Sequence, residues 1–339
     1  MIFFRQLLFP FAIIYGLITS IRNFLYDKGV LKSYSFDIPI IAVGNLSVGG
    51  TGKTPQIEYL IRLLSPNYKI ATLSRGYKRK SKGFILANET SNAEIIGDEP
   101  FQFFQKFPQI QVAVDSDRKN GIEQLLQQSI PPDVILLDDA FQHRKVKAGF
   151  YILLTSFDDL YCDDFILPTG NLRESRCGAQ RANMIIVTKC SENLSELAQQ
   201  QIKQRLGAEK NVFFTKIVYD TVLYSDNKQL EVSEIKNTDK LLLAGIAKPE
   251  PFFAYLQSKN DVVMKFSDHH HFSENEILEI KDKSNNRPIV TTEKDFVRLK
   301  DSILKEQLFY LPIKSSFIVK NDNFNKTIFD YVGTCTRNG

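Results

Sequence analysis

The chain has 339 residues, enough for about two domains with cores of their own. Its composition, 43% hydrophobic and 24% charged residues, is typical of a globular protein, and its net charge of +4 at pH 7 is too small to predict nucleic-acid binding. Four cysteines without C-x-x-C spacing argue against a zinc site or a disulfide framework and suit a cytosolic setting.

The first 30 residues are predicted to form a helix. No charged residue occurs between Arg5 and Arg22, and apolar residues recur at helical spacing from Phe3 to Leu25. The uncharged stretch is shorter than the about 20 residues that a spanning helix needs. We therefore expect an amphipathic helix, 1–30, that lies in the membrane surface with its basic residues near anionic headgroups. A signal peptide is the first alternative, although no A-x-A-like cleavage site follows, and a helix docked on the protein's own core is the second.

A glycine-rich loop follows the first predicted strand, 38–43, and leads into an amphipathic helix. In such a strand–loop–helix unit, backbone N–H groups bind phosphate oxygens, Lys53 reaches the β- and γ-phosphates, and the Thr54 hydroxyl ligates Mg²⁺. Ser47 stands where the G-x-x-x-x-G-K-[ST] pattern has its first glycine, and a small residue there keeps the loop plausible. We therefore predict that ATP and Mg²⁺ bind at a loop formed by Gly49, Gly50, Thr51, Gly52, Lys53 and Thr54.

Short β-branched runs then alternate with helical patterns. This alternation predicts an α/β fold, a doubly wound and mostly parallel sheet of the P-loop NTPase type, with ligands at the carboxyl ends of its strands. We assign 31–210 to this domain, 211–235 to a small β linker, and 236–339 to a second, smaller α/β lobe. The further strands predicted in the first domain are 70–73, 112–114, 134–137, 151–155 and 184–187.

Two pairs of acidic residues lie near these elements. Asp138 and Asp139 directly follow the strand 134–137, where a P-loop protein has its metal-linked carboxylate. Asp98 and Glu99 precede an aromatic helix, and capping of the helix N-terminus explains this pair as well as chemistry does.

Three of the chain's four histidines are consecutive, at 269–271, directly after a predicted strand. Adjacent residues on an extended segment point to opposite faces, so these three cannot all chelate one ion. A histidine paired with a carboxylate for proton transfer is the more economical interpretation, and a solvated polar turn is the alternative. The fourth histidine, His143, is interpreted as a surface or hydrogen-bonded residue.

The motifs of the chain form a set of ten segments, 44–45, 49–55, 74–77, 97–100, 138–143, 167–168, 171–174, 244–246, 268–270 and 292–295. Taken in chain order, these segments resemble one family, the tetraacyldisaccharide 4′-kinases, which are the lipid A 4′-kinases of Gram-negative bacteria. The resemblance covers residues 1 to about 300. Its departures are small, since Ala140 and Ala247 stand where glycine is common and Asn171 replaces a more usual proline.

The resemblance implies ATP-dependent phosphorylation of the 4′-hydroxyl of a tetraacylated glucosamine disaccharide, at the cytoplasmic face of the inner membrane, to give lipid IVA. It implies that Asp98 is the catalytic base, that His269 is its partner from the second lobe, and that Lys53 acts on the γ-phosphate. We expect a monomer whose partners are the lipid disaccharide and the membrane surface. The candidate metal ligands are Thr54, Asp138, Asp139 and Glu99, and the candidate substrate contacts are Arg75, Asn171, Arg173, Glu174 and His270.

Two other classes of protein remain open on the sequence. A soluble P-loop kinase or ligase of the dethiobiotin-synthetase type would share the phosphate loop but would not need the apolar N-terminus. A regulatory nucleotide switch with no chemical substrate would not need the pair of Asp98 and His269.

Overall fold

The computed structural model describes residues 5–207, 211–268, 270–319 and 321–337. The chain folds into two units. The first comprises Met1–Ile217 and Ser315–Gly339, and the second comprises Val218–Lys314. This division differs from the domain boundaries predicted from the sequence, because the last 25 residues return to the first unit and the predicted linker 211–235 is shared between the two.

The sheet of the first unit confirms the predicted α/β fold. Its central strand, β1 (Ile40–Asn45), lies between β5 (Val134–Asp138) and β6 (Phe150–Ser156) and is parallel to both. The other strands are β2 (Ile70–Ser74), β3 (Ile85–Leu86), β4 (Gln111–Val114), β7 (Met184–Thr188), β8 (Asn211–Tyr219) and β15 (Ile313–Phe317). The strand order is β15-β8-β7-β6-β1-β5-β2-β4-β3, so the chain reverses its direction of winding at β1. Ligands of doubly wound folds bind at such a switch point, outside the carboxyl ends of the strands.

Helices cover both faces of this sheet, because both faces of its strands are apolar. Along β1, Ile41 and Val43 join the core on one face, and Ile40 and Ala42 join the core on the other. The helices of the first unit are α1 (Phe9–Asp27), α2 (Lys53–Leu64), α3 (Ala93–Ile96), α4 (Asp98–Lys106), α5 (Arg118–Leu126), α6 (Glu196–Leu206) and α11 (Asp322–Arg337), with a 3₁₀ helix at Arg176–Arg181.

The C-terminal helix α11 explains why the end of the chain belongs to the first unit. Phe324, Ile328 and Val332 recur every four residues, are fully buried, and pack into the same core as the apolar face of α2. Tyr331 strengthens this contact, since its hydroxyl accepts a hydrogen bond from Ile40 N (3.0 Å) and donates one to Ile40 O (3.1 Å).

The N-terminal helix α1 is long and apolar enough to cross a membrane. Only Ala12 and Gly16 of this helix are buried. A side chain at Gly16 would lie 3.2 Å from Ile166 Cδ1, so the helix approaches the protein along a stripe of small residues. Its large apolar side chains are exposed, which does not fit the alternative of a helix docked by its apolar face. These exposed residues are Phe9, Phe11, Ile13, Ile14, Leu17, Ile18, Ile21 and Phe24.

The second unit has a six-stranded sheet in the order β10-β9-β14-β13-β11-β12. The strands β11 to β14 pair in parallel, and β9 and β10 form an antiparallel edge. The strands are β9 (Val222–Tyr224), β10 (Gln229–Glu231), β11 (Leu241–Ala244), β12 (Val262–Lys265), β13 (Ile289–Thr292) and β14 (Leu308–Leu311). The helices are α7 (Val232–Lys236), α8 (Glu250–Leu256), α9 (Glu274–Ser284) and α10 (Glu293–Leu299).

Candidate functional site

The predicted phosphate loop connects the end of β1 to the start of α2. Gly49 and Gly52 have φ angles of 113° and 81°, in the left-handed region that favours glycine. Within the described part of the chain, no side chain caps the N-terminus of α2. The first N–H groups of the helix are therefore free of side-chain acceptors at the mouth of the loop, which is the arrangement that binds phosphate.

Lys53 joins the loop to the acidic pair at the end of β5. The register of β1 and β5 places Val43 beside Asp138, so both strands end at the same edge of the sheet. Lys53 Nζ lies 3.5 Å from Asp139 Oδ1 and 3.3 Å from Asn45 Oδ1. An ammonium group in this position is close to any phosphate that the loop holds.

Asp139 is held as an anion by two cations. Arg173 donates two parallel hydrogen bonds to its carboxylate, at 2.8 Å and 3.1 Å. Burial by itself would raise the pKa of Asp139, but the hydrogen bond from Arg173 and the charges of Lys53 and Arg173 lower that pKa to about 2. Asp139 therefore stays ionised at neutral pH.

Asp138 lies in a different environment, although it is the adjacent residue. Its side chain is buried, and its Oδ1 atom has no hydrogen-bond donor among the described residues. Burial, followed by the negative charge of Glu99, raises the pKa of Asp138 even though Lys53 and Arg118 oppose this change. Because burial and Glu99 disfavour the ionised form of Asp138, that form needs a further positive charge to stabilise it.

The residues around Asp138 fit a magnesium ion. The Thr54 hydroxyl, on the second residue of α2, and the Asp138 carboxylate are hard oxygen ligands of the type that Mg²⁺ prefers. No three His, Cys, Asp or Glu side chains of the described residues form a metal cluster. A P-loop site needs none, because its Mg²⁺ is held by one hydroxyl, one carboxylate and the phosphates.

The acidic pair Asp98 and Glu99 begins helix α4 and is half-buried. Gly97, just before it, has a φ of 94°, and a side chain at Gly97 would lie 3.2 Å from both Gly76 Cα and Tyr77 O. The two loops are thus in backbone contact, which only glycine allows. Because the charge of Glu99 raises the pKa of Asp138, Glu99 lies near the carboxylate at the end of β5.

Arg75 lies exposed at the end of β2, on the same edge of the sheet. The pKa of Arg118 is lowered to about 10, mainly by burial. The positive charge of Arg75 also lowers this pKa. The structure therefore places Arg75 near the group of Arg118 and Asp138, where an anionic partner would find a positive charge.

The segment 171–174 lies against the phosphate loop. Val48 N donates to Asn171 O, and Arg173 N donates to Leu46 O, both at 2.8 Å, so the two segments pair in antiparallel fashion. The side chains of three of the predicted substrate contacts have protein partners. Asn171 Oδ1 accepts from Arg5 (3.1 Å), Arg173 binds Asp139, and the buried Glu174 accepts from Arg181 (2.6 Å), Gln142 (3.1 Å) and Asn23 (2.6 Å).

Of the histidine run, His269 lies outside the described residues. His270 belongs to the second unit, where its Nε2 is 2.9 Å from Glu276 Oε1 and its Nδ1 is 3.3 Å from Ser267 Oγ. Glu276 also closes the capping box of α9 with Ser273. His270 is therefore tied into the loop that precedes α9.

Sequence reasoning missed two buried polar residues of this site. Asn45 Oδ1 accepts from Lys53, and Arg118 donates to Asp115 O (2.6 Å) and Asp138 O (3.1 Å). A polar residue at the end of the apolar strand β1 is a signal that could have indicated Asn45. No local pattern indicates Arg118, because its partner at the site is the backbone carbonyl group of Asp138, on another segment.

Comparisons with known proteins place the chain in a family. The family model described as "Tetraacyldisaccharide-1-P 4′-kinase" matches residues 4–332. A protein named tetraacyldisaccharide 4′-kinase from Flavobacterium johnsoniae is 67% identical over 330 residues, 97% of each chain. A protein of the same name from Bacteroides thetaiotaomicron is 45% identical over 98% of this chain and 94% of its own.

A solved structure resembles the whole chain. The crystal structure of the "apo" form of LpxK from Aquifex aeolicus in complex with ATP is similar with a TM-score of 0.80 and 31% sequence identity. The similarity covers 97% of this chain and 99% of that chain. The likeness therefore extends over both units and the N-terminal helix.

Proposed function

The chain belongs to the tetraacyldisaccharide-1-P 4′-kinase family, and from that premise we propose that it transfers the γ-phosphate of ATP to the 4′-hydroxyl of a tetraacylated glucosamine disaccharide 1-phosphate. The product is lipid IVA. The observation that carries this proposal is the glycine loop that ends at Lys53, with one ionised and one buried carboxylate, Asp139 and Asp138, at the same edge of the sheet.

We assign different roles to the groups around the loop. The loop N–H groups and Lys53 hold the phosphates, and Arg173 fixes Asp139 so that its charge orients Lys53. Thr54 and Asp138 would hold Mg²⁺, with Glu99 and Asp139 nearby, because Asp138 has a buried carboxylate oxygen without a donor among the described residues, whereas Asp139 is bound by Arg173. Bound there, Mg²⁺ would supply charge neutralisation for the β- and γ-phosphates.

The proton transfer is assigned to Asp98. A bond forms between the sugar oxygen and the γ-phosphorus, the bond from that phosphorus to the oxygen bridging to the β-phosphorus breaks, and the hydroxyl proton passes to the Asp98 carboxylate. The carboxylate is half-buried at the start of α4, in the segment that meets the loop after β2. His269 is proposed as the partner of Asp98 on the strength of the family motif.

The proposed acceptor is a lipid, and a lipid acceptor explains why helix α1 exposes apolar side chains. We propose that α1 holds the enzyme on the cytoplasmic face of the inner membrane, where ATP is available, with Arg22 and Lys28 near anionic headgroups. Arg173, Asn171 and Glu174 are proposed as supports of the site, since their side chains bind protein groups, while Arg75 and His270 remain proposed substrate contacts.

The function is tested with γ-labelled ATP, Mg²⁺ and the lipid disaccharide 1-phosphate in detergent. We expect the label to appear on the 4′-oxygen, and no transfer to an acceptor that lacks the 4′-hydroxyl. Asp98→Asn should lower kcat by about 10²- to 10⁴-fold while ATP still binds. Glu94→Gln, which alters an exposed acid in the preceding helix, is the control and should leave kcat unchanged. Label at another position, or normal turnover by Asp98→Asn, would contradict the proposal.

A further inference from the structure

Besides its exposed apolar side chains, helix α1 has a polar face that contacts the segments around the proposed nucleotide site. Tyr15 donates from its hydroxyl to Arg173 O at 3.0 Å, and Asn23 donates from Nδ2 to Glu174 Oε2 at 2.6 Å. Both side chains are half-buried, and they lie on the side of the helix that carries the buried Ala12 and Gly16. The exposed apolar residues lie elsewhere on the helix surface.

The two acceptors of these hydrogen bonds are adjacent residues with direct contacts to the site. The backbone of Arg173 pairs with Leu46 in the phosphate loop, and its guanidinium binds Asp139 and Asn45. Lys53 lies within 3.5 Å of both Asp139 and Asn45. The path from the Tyr15 hydroxyl to Lys53 therefore runs through Arg173 and the two residues that its guanidinium binds, Asp139 and Asn45.

Glu174 forms the second path from the helix. Its side chain is 3% exposed, and its Oε1 atom accepts from Arg181 (2.6 Å) and from Gln142 (3.1 Å). Gln142 also donates to Asn45 O at 2.9 Å. A buried carboxylate depends on each of its hydrogen-bond donors. Loss of the hydrogen bond from Asn23 would therefore disturb the other hydrogen bonds of Glu174, those with Arg181 and Gln142.

We propose that Tyr15 and Asn23 are positioning residues for ATP, acting through Arg173 and Glu174 on Asp139, Asn45 and Lys53. Helix α1 is then part of the scaffold of the nucleotide site as well as a membrane anchor. The proposal rests on the proposed function only in that the loop at Lys53 binds ATP. Its test is nucleotide affinity, which needs no lipid.

The test compares Tyr15→Phe and Asn23→Leu with the unaltered full-length protein in detergent. We expect the Kd for a fluorescent ATP analogue with Mg²⁺, and the KM for ATP, to rise about three- to tenfold for each variant, as expected for the loss of one hydrogen bond. Partitioning into vesicles of anionic phospholipid should not change. A merely structural role would lower the thermal midpoint without a selective change in Kd.

Two controls separate positioning from anchoring. The double variant Ile14→Ser/Ile18→Ser alters only exposed side chains and should weaken vesicle binding while leaving the Kd for the nucleotide unchanged. Tyr26→Phe removes a hydroxyl from the same helix and should leave the nucleotide Kd unchanged. The Tyr26 ring lies under two guanidinium groups, with Arg22 Cζ 5.3 Å and Arg144 Cζ 5.4 Å from its centroid.

A further variant tests the route itself. In an Arg173→Ala background the Tyr15→Phe substitution should have a smaller effect on the nucleotide Kd, because the guanidinium contacts with Asp139 and Asn45 are gone and only the backbone pairing with Leu46 remains. An undiminished effect would contradict the route through the guanidinium. Unchanged Kd and KM in both Tyr15→Phe and Asn23→Leu would overturn the inference while leaving the kinase assignment intact. If the unaltered protein transferred no phosphate, the kinase assignment would fall, and the Kd comparison would still decide the role of the helix.

Discussion

Neighbouring residues of this site have opposite ionisation behaviour because their surroundings differ. Asp139 faces Lys53 and Arg173, which lower its pKa to about 2, whereas burial and the charge of Glu99 raise the pKa of Asp138. One carboxylate is therefore an anion at neutral pH that lies beside a lysine, and the other is a buried carboxylate that we propose as a ligand of Mg²⁺.

Replacing Lys53 tests the proposed contact with the phosphates. Lys53→Ala should lower kcat at saturating ATP by about 10²- to 10³-fold, because it removes a preorganised positive charge where negative charge develops. Lys69→Ala is the matched control, since Lys69 is exposed just before the amino end of β2, at the edge of the parallel sheet opposite the loop. Steady-state kinetics at saturating ATP decide the matter, and an unchanged kcat for Lys53→Ala would contradict the assignment.

His143 makes the stability of the protein depend on pH. Burial, followed by the charge of Arg118, lowers the pKa of His143 to about 4 from its ordinary value of 6.5. The stability that the neutral imidazole contributes is therefore fully present above pH 6.5 and is lost as the pH falls toward 4, where the unfolded chain binds the extra proton.

The variant His143→Gln should remove this component of acid sensitivity. The thermal midpoint, followed by circular dichroism, should fall less between pH 7 and pH 5 in this variant than in the unaltered protein. His271→Gln changes an exposed histidine and should behave like the unaltered protein. An equal fall in all three proteins would show that His143 is not the group responsible.

At the scale of elements, the helix of the phosphate loop is fastened to the helix that carries Asp98. Glu58 of α2 is 1% exposed and accepts from Gln102 (2.9 Å) of α4. It also pairs with Arg62 (2.7 Å) of its own helix and with Lys106 (2.8 Å) of α4. One buried carboxylate thus joins the two elements that hold the proposed phosphate-binding and proton-accepting groups.

We expect Glu58→Ala to destabilise the first unit by about 2–4 kcal/mol, since it removes a buried carboxylate and leaves its donors unpaired. Glu123→Ala breaks the exposed pair with Lys119 and should cost less than about 1 kcal/mol. Urea unfolding followed by circular dichroism measures both variants, which suits a chain without tryptophan. Equal destabilisation by the two substitutions would contradict the role given to Glu58.

Local patterns predicted the elements whose signal lies in contiguous residues. The strand β1, the loop, the helix α2 and the acidic pair after β5 follow directly from apolar runs and turn residues. The pairing of 171–173 with 46–48 could not be predicted, because it joins irregular segments about 125 residues apart by backbone hydrogen bonds. The return of α11 to the first unit was missed for a similar reason, since an apolar stripe does not indicate which sheet it covers.

At the scale of the whole molecule, we propose that one helix brings the enzyme to the membrane that holds its lipid acceptor. The apolar side chains of α1 are exposed, and its small and polar residues contact the first unit. An amphipathic helix of a water-soluble protein buries its apolar side chains, whereas α1 exposes them. The exposed side chains form a surface suited to acyl chains.

The membrane role of this helix predicts the effect of polar substitutions. Ile14→Ser/Ile18→Ser should lower partitioning into anionic vesicles by at least tenfold, because burial of an isoleucine side chain contributes about 1.5–3 kcal/mol. Co-sedimentation with vesicles measures the effect, with Leu278→Ser, an exposed apolar residue of the second unit, as the control. Undiminished sedimentation of the double variant would contradict an anchor formed by this face.

The central claim is that the loop between β1 and α2 holds the triphosphate whose terminal group is transferred. A crystal structure with a nonhydrolysable ATP analogue and Mg²⁺ tests it most directly. We expect the phosphates on the backbone N–H groups of 49–54, with Lys53 Nζ turned from Asp139 to the β- and γ-phosphates and Mg²⁺ between Thr54 and Asp138. A triphosphate bound at any other place, with residues 47–54 free of it, would contradict the account.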